Sequence, residues 1–310
     1  MDIASDTWDA RTPRHVRFRN LLAERMPGIE IKDLSPILDQ MRMIKSPAEL
    51  DAIRKATRLS GLALMESMRS TKPGMKEYEL DAVAKYVYYR NGAQGDAYYS
   101  LIATAQNAYF PHYHEGKSTM KDGDFLLMDY APDYGYYMSD LTRMWPVNGT
   151  FTRDQRDLYG FYLACYKSIL YNIKAGKAPA EIAQKAVGEM EQHLQKATFS
   201  KDIYKKAAAE FVNSYKAGMT RRSTLGHWVG MATHDVGTID GKLRAGMVFT
   251  IEPALRVPEE MIYIRLEDLV IIHENSVEIV SEFVPMDINA IEKLMKEPGM
   301  SQKYPRESAP

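Results

Sequence analysis

Four carboxylates set inside two strongly apolar segments constrain this chain more than any other feature of it. Phe125-Leu-Leu-Met-Asp129 runs into a stretch rich in Pro, Asp and Gly, Pro132 to Gly135, and a Tyr/Met segment leaves it, the signature of a β-hairpin. With the turn centred between Tyr134 and Gly135, Asp129 faces Asp140 directly across the strands. Val248-Phe-Thr-Ile-Glu252 repeats the arrangement: a turn at Pro258–Glu260 and a returning segment Met261–Glu267 set Glu252 opposite Glu267. Like charges directly opposite on neighbouring strands are destabilising, and an isolated buried carboxylate costs several kcal/mol. One such pair reads most simply as the solvated face of a hairpin. Two pairs of the same geometry, each in an apolar strand, instead call for protonation, exposure or a bound metal.

The remaining composition excludes several alternatives. A chain of 310 residues is long enough for one large domain or two ordinary ones, and 45% hydrophobic with 26% charged residues describes an ordinary soluble protein. A net charge of −1 gives no electrostatic reason to expect nucleic acid or an acidic membrane as partner. The single cysteine, Cys165, rules out an internal disulfide framework and a multi-cysteine zinc site; in its apolar helical context it reads as a small buried thiol. No run of 18 apolar residues occurs and the first residues lack a signal-peptide core. A cytoplasmic protein is expected, with a secreted or periplasmic one open if the chain is a trimmed form.

Three segments are expected. Residues 1–44 form an N-terminal arm or the remnant of a larger domain, with a short helix at Arg17–Arg25 and a short strand at Gly28–Lys32. Residues 45–297 form the main domain and 298–310 a frayed polar tail. Ser46-Pro-Ala-Glu49 carries a capping box with proline at the first helical position, and Leu50, Ile53, Ala56 and Leu59 follow at helical spacing. After Lys72-Pro-Gly74 a second helix runs from Glu77 to Arg90, stopped by Asn91-Gly92, and strand-like sequence spans 97–104. Past Asn148-Gly-Thr150 the order begins again, with helices at about 152–174, 178–197 and 203–216 ahead of the second hairpin; a closing helix is expected at 288–296. The fold class is therefore α+β, duplicated, with the carboxylate site between the halves.

Of seven histidines, His15, His193 and His273 sit in polar contexts. His227 and His234 fall in Leu225-Gly-His-Trp-Val-Gly-Met-Ala-Thr-His-Asp-Val-Gly237, where glycines permit close approach of the backbone, and His112 and His114 precede the first carboxylate strand. With four carboxylates in hand, at least one of these imidazoles is expected to complete a metal shell.

At this point the chain resembles the pita-bread metallopeptidases, the family of aminopeptidase P, prolidase, methionine aminopeptidase and creatinase, over about residues 45–295. The likeness rests on Asp129 and Asp140 with ten residues between them and Leu-Thr-Arg143 following, Gly226-His227-Trp-Val-Gly230 with His234-Asp-Val-Gly237, Thr250-Ile-Glu252-Pro253, and Ile264-Arg-Leu-Glu267-Asp268, in that order. It implies the pita-bread fold, with Asp129, Asp140, His227, Glu252 and Glu267 as ligands of two divalent ions bridged by Asp140 and Glu267. His112 and His234 correspond to substrate-facing histidines, and Arg265 to the buried arginine beside the last ligand and the substrate. Trp228 and the His-Asp-Val-Gly ending look more like aminopeptidase P and prolidase, which implies hydrolysis of Xaa-Pro bonds by a hydroxide held between two ions, with a peptide carrying proline after the scissile bond as substrate and a homodimer as the assembly.

Chemically, four carboxylates and one imidazole suit Mn²⁺, with Co²⁺, Zn²⁺ or Fe²⁺ as competitors. Glu252 is the expected proton carrier, and His234 the donor to the scissile carbonyl. Two departures stand out. Ser223-Thr224 occupies the place where these relatives carry His-Gly, and Glu252-Pro continues Ala-Leu-Arg256 in place of Gly-Leu-Tyr. The loss of that histidine predicts weak activity. A non-catalytic peptide- or protein-binding module on the same fold, or a hydrolase of other amides or phosphoesters, are the alternatives.

Overall fold

The computed structural model describes residues 12–218, 225–237 and 241–304. The arm comprises α1 (Arg14–Arg25) and α2 (Ser35–Met43), and Phe18, Leu34, Ile37 and Met41 on it are exposed. The expected strand at Gly28–Lys32 is absent: among the described residues no strand lies beside it to complete a ladder. Asp33 instead accepts the Ser35 N–H at 2.9 Å, and Pro36 helps start α2, which sequence reasoning did not anticipate.

The first half of the main body opens with α3 (Pro47–Ser70), which carries the anticipated capping box: Ser46 N–H donates to Glu49 Oε2 at 2.7 Å and Glu49 N–H to Ser46 Oγ at 3.5 Å. Ile53, Ala56, Leu64 and Met68 are fully buried on one stripe, and α4 (Glu77–Arg90) packs alongside. Then come β1 (Gly95–Asp96), β2 (Leu101–Thr104), β3 (Phe125–Asp129), β4 (Pro132–Asp133) and β5 (Thr142–Pro146), with an antiparallel sheet of order β2-β3-β5 and a short β1-β4 pair. The second half repeats this order with α5 (Arg153–Leu170), α6 (Pro179–Lys196), α7 (Asp202–Gly218), β6 (Val248–Ile251), β7 (Ala254–Val257), β8 (Ile262–Arg265), β9 (Asp268–Ile272) and β10 (Val277–Ile279). Its strands form a β10-β9-β6 sheet and a β7-β8 pair. The halves meet where β5 packs on β8, and Glu267 N–H donates to the Thr142 carbonyl at 3.1 Å. Helix α8 (Ile288–Leu294) closes the body.

The tail is anchored earlier than expected. In α9 (Met300–Lys303) the Ser301 hydroxyl donates to the Ser70 carbonyl at 2.5 Å and Met300 N–H to Glu66 Oε1 at 2.5 Å, so the C-terminal end of α3 supplies acceptors that hold it.

The first hairpin turns one residue later than expected. Tyr134 and Tyr137 exchange backbone hydrogen bonds at 3.0 and 3.2 Å, and the two residues between them, Gly135 and Tyr136, both have positive φ, the geometry of a two-residue hairpin turn matched to strand twist. Asp129 consequently lies opposite Thr142, not Asp140. The shift is of two residues, and side chains alternate with a period of two, so Asp140 keeps its face. The second hairpin has the expected register. Ile251 pairs with Asp268 and Ala254 with Arg265, and continuing that register through the break between the two ladders sets Glu252 opposite Glu267.

Two phenols from α5 occupy that break. The Tyr162 hydroxyl accepts the Leu266 N–H at 2.8 Å and donates to the Pro253 carbonyl at 2.6 Å. Tyr166 donates to Asp268 Oδ2 at 2.6 Å and lies 3.2 Å from the Ile251 carbonyl. Backbone groups unpaired between the strands are thereby satisfied from a helix. Behind them Arg143, fully buried, donates to Asp268 at 2.6 Å and to the Glu267 carbonyl at 2.7 Å.

Candidate metal centre

The four carboxylates and His227 converge at one end of a cavity of about 480 Å³ that His112, His234 and Arg265 also line. His227 Nε2 lies 3.3 Å from Asp140 Oδ2, 3.4 Å from Glu252 Oε1 and 3.7 Å from Glu267 Oε1. One oxygen each of Asp129, Asp140 and Glu267 lies within 4.8 Å of the others, as do donor atoms of His227, Glu252 and Glu267 and of Asp140, His227 and His234. His227 Nδ1 is 3.1 Å from the Trp228 carbonyl, which can only accept, so Nδ1 carries a proton and Nε2 faces the carboxylates.

The residues fit divalent cations. Glu267 Oε2 accepts from Thr142 Oγ1 at 2.8 Å, while its buried Oε1 has no hydrogen-bond partner. Such an atom is costly unless something positive meets it. Among the described residues Arg265 is the one guanidinium lining the cavity; it pairs with Asp129 and reaches Glu252 at 3.5 Å. Carboxylates outnumber the cationic groups around them. Burial pushes Asp129 and Asp140 upward, and Glu252 is pushed up to about 8 by burial and then by the charge of Glu267. For His227 burial acts downward, but the neighbouring carboxylates of Asp140 and Glu267 outweigh it and hold the ring at about 11. His234 is shifted downward by burial and by the neighbouring His227, whose ring centroid is 4.3 Å away.

The segment carrying His227 and His234 passes too close to its surroundings for side chains at its glycines. A Cβ on Gly226 would lie 1.8 Å from the Thr250 carbonyl oxygen, and one on Gly230 2.1 Å from Asp235 Oδ2. Asp235, beside His234, is held by Arg42 at the end of α2 and by Lys45, whose ammonium is 3.5 Å away and almost fully buried. His112 sits on the other wall, exposed at the cavity mouth. Its loop is held from below by Glu77, the fully buried first residue of α4. Glu77 Oε1 accepts from Thr104 N–H and Oγ1, both at 2.8 Å, and from Asn107 at 3.0 Å; Oε2 accepts from Tyr113 at 3.0 Å and Ser118 N–H at 3.1 Å. Glu77→Gln would turn one acceptor into a donor facing donors, at ~1–3 kcal/mol. The variant is expected to melt several degrees lower and to show faster hydrogen exchange over 104–118 with its metal content unchanged; unchanged exchange would show that the loop holds itself.

Sequence reasoning missed Tyr98, whose hydroxyl lies between Asp129 Oδ1 at 2.5 Å and Asp140 Oδ1 at 2.7 Å. It also missed Glu77 and Asp235. No local pattern marks these residues, because each acts on segments remote in sequence. His114 does not line the cavity; its ring lies tilted against that of Tyr99. Ser223 and Thr224 lie outside the described residues. Cys165 is buried with its thiol pushed up to about 12 by burial, which suits the structural role expected of it.

The pattern of metallopeptidase family M24 matches residues 51–274, a span that contains every one of the convergent ligand candidates. The chain belongs to this family. M24 relatives include the Xaa-Pro aminopeptidases of Haemophilus influenzae, 31% identical over 86% of this chain and 64% of its own length, and of Escherichia coli, 32% identical over 85% and 62%. The chain thus spans somewhat less than two thirds of the length of these relatives. Among solved structures, proline aminopeptidase P II of Yersinia pestis superposes with a TM-score of 0.77 at 31% identity, covering 91% of this chain and 68% of that one. Aminopeptidase P of Escherichia coli gives 0.77 at 29% identity, covering 95% and 70%. The duplicated helix-and-sheet halves are the pita-bread fold. No helix among the described residues is long and apolar enough to cross a membrane.

Proposed function

We propose that residues 45–297 form a catalytic unit that hydrolyses Xaa-Pro peptide bonds with two divalent ions held by Asp129, Asp140, His227, Glu252 and Glu267, Mn²⁺ suiting this oxygen-rich set best. The observation that carries the reading is the convergence of five donor residues, one of them Glu267 with a buried Oε1 that no described residue hydrogen-bonds, in an open cavity. Two ions in such a site supply Lewis-acid polarisation of the scissile carbonyl and a water acidic enough to attack it near neutral pH. Glu252 serves as proton carrier, because its side chain is 29% exposed while those of Asp129, Asp140 and Glu267 are 7% exposed or less. His234, on the exposed wall, donates to the carbonyl oxygen, and His112 faces it across the cavity to orient the substrate. Arg265, engaged by Asp129 and Glu252, positions those carboxylates beside the bound peptide. An Xaa-Pro bond has no N–H, so a site that recognises it cannot rely on that donor.

The test is a screen of chelator-treated and Mn²⁺-reloaded protein against Xaa-Pro dipeptides, longer Xaa-Pro peptides, other peptides and phosphoesters. Turnover that requires metal and proline is expected; metal-dependent cleavage of esters alone would overturn the reading.

The sequence adds one expectation. A serine hydroxyl does not titrate near neutrality, so Ser223 cannot relay protons as a histidine does. General acid–base help is worth ~10²–10⁴-fold. Ser223→His is therefore expected to raise kcat on Xaa-Pro peptides while calorimetry finds the metal affinity unchanged. A slower variant would show that the shuttle argument is wrong.

A further inference from the structure

The cavity does not end at His112. That residue is also a wall of a neighbouring open depression of about 440 Å³ formed with Phe110, Pro111, Tyr113, His114 and, at one side, the charged Glu115. Tyr99 joins the two a second time: it lines the cavity and packs on His114 with ring centroids 4.7 Å apart. Phe110 and Tyr99 are 58% and 56% exposed, so two large aromatic faces stand in water beside the mouth of the site. Contiguous exposed apolar surface of this kind marks binding surfaces. The loop beneath is not free to collapse onto it, because Glu77 fixes Tyr113 and the backbone around it, and a pre-organised surface loses little entropy on binding.

We propose that Phe110, Tyr99 and His114 form a subsite for the substrate residue that follows the proline, with a preference for an aromatic side chain there. This rests on the Xaa-Pro reading given above. Its direction follows from length. An aminopeptidase substrate has a single residue before the scissile bond, too short to leave the cavity, so only the leaving-group side reaches past His112. A dipeptide ends at its proline and gains nothing from the shelf. On this reading a longer Xaa-Pro peptide gains binding from the shelf and a dipeptide does not.

The test compares Ala-Pro, Ala-Pro-Ala-Ala and Ala-Pro-Phe-Ala on the Mn²⁺-loaded protein, and measures binding of the product-like peptides Pro-Ala-Ala and Pro-Phe-Ala by calorimetry. The phenylalanine peptides are expected to show KM and Kd lower by about three- to tenfold, the scale of one aromatic contact, with kcat unchanged as befits uniform binding. Phe110→Ser, at an exposed position, should erase that preference and leave turnover of Ala-Pro-Ala-Ala as it was. Equal binding of the two product-like peptides, a preference that survives Phe110→Ser, or fastest cleavage of the dipeptide would each overturn the subsite. Absence of turnover on all three substrates would instead overturn the peptidase reading, and the calorimetric ranking would still decide whether the shelf binds aromatic side chains.

Discussion

Chelator-treated protein is expected to lose thermal stability steadily as the pH rises from about 5 to about 9, and Mn²⁺-loaded protein to escape that loss. Glu252 holds its proton up to about 8 in the folded chain, against an ordinary value of 4.5, through burial first and the charge of Glu267 second. Below 4.5 both folded and unfolded forms are protonated there. As the pH climbs through the interval the folded form must carry a buried charge, and stability falls. Asp129 and Asp140 are shifted the same way, chiefly by burial. His227, held at about 11, gives a stabilisation that is complete below its ordinary 6.5 and fades as the pH rises toward 11, again in the same direction.

Divalent ions reverse the trend, because ligands must shed their protons to bind, and affinity climbs about tenfold per pH unit for each proton displaced. At a hundredfold excess over Kd one site adds ~2.7 kcal/mol, on the order of 5 °C in a domain of this size. Melting curves with and without Mn²⁺ across the pH range measure the gap. A gap that is absent, or that narrows as the pH rises, would remove the metal from the argument. Asp140→Asn, which takes away one of the carboxylates that would hold the ions, should shrink it at every pH.

His234→Ala is expected to lower kcat/KM on the best Xaa-Pro peptide by ~10²–10³, the scale of one lost transition-state donor, with metal content intact. His227→Ala should abolish metal loading and with it activity. The two rings are near neighbours, yet their surroundings differ. His227 Nε2 is aimed at three carboxylates. His234 is exposed on the cavity wall, and its downward shift leaves it neutral and able to donate from one nitrogen at pH 7. Elemental analysis beside steady-state kinetics separates the roles. Equal metal loss in the two variants would mean that His234 is itself a ligand, a geometry that its closeness to Asp140 permits.

How much of this the sequence carried depended on whether the deciding interaction was local. The capping box at Ser46–Glu49 and the Glu252/Glu267 register were legible, because a cap and a tight turn are set by a few adjacent residues. The Asp129/Asp140 register was not, since positive φ at Tyr136 moved the turn, and a tyrosine gives no warning of that conformation. The stretch 28–32 alternates apolar and charged residues like a strand, but a strand needs an edge to join. That Asp129, Asp140, His227, Glu252 and Glu267 converge could be expected because motif and apolar context pointed alike. Tyr98, Glu77 and Asp235 could not, because each joins segments that only the folded chain brings together.

The phenols of Tyr162 and Tyr166 give the site an unusual kind of tuning screw. Where a continuous ladder would fix the spacing of Glu252 and Glu267 by the repeat of the sheet alone, here the strands are bridged at that point by hydroxyls whose positions are set by how α5 seats in the core. Tyr162 in turn rests on Phe211 of α7, with ring centroids 5.9 Å apart. The distance between two of the carboxylates is thereby a property of helix packing. Substitutions well away from the cavity, at Phe211 or elsewhere on the buried stripe of α7, can widen or narrow the grip on an ion without altering any donor that touches it.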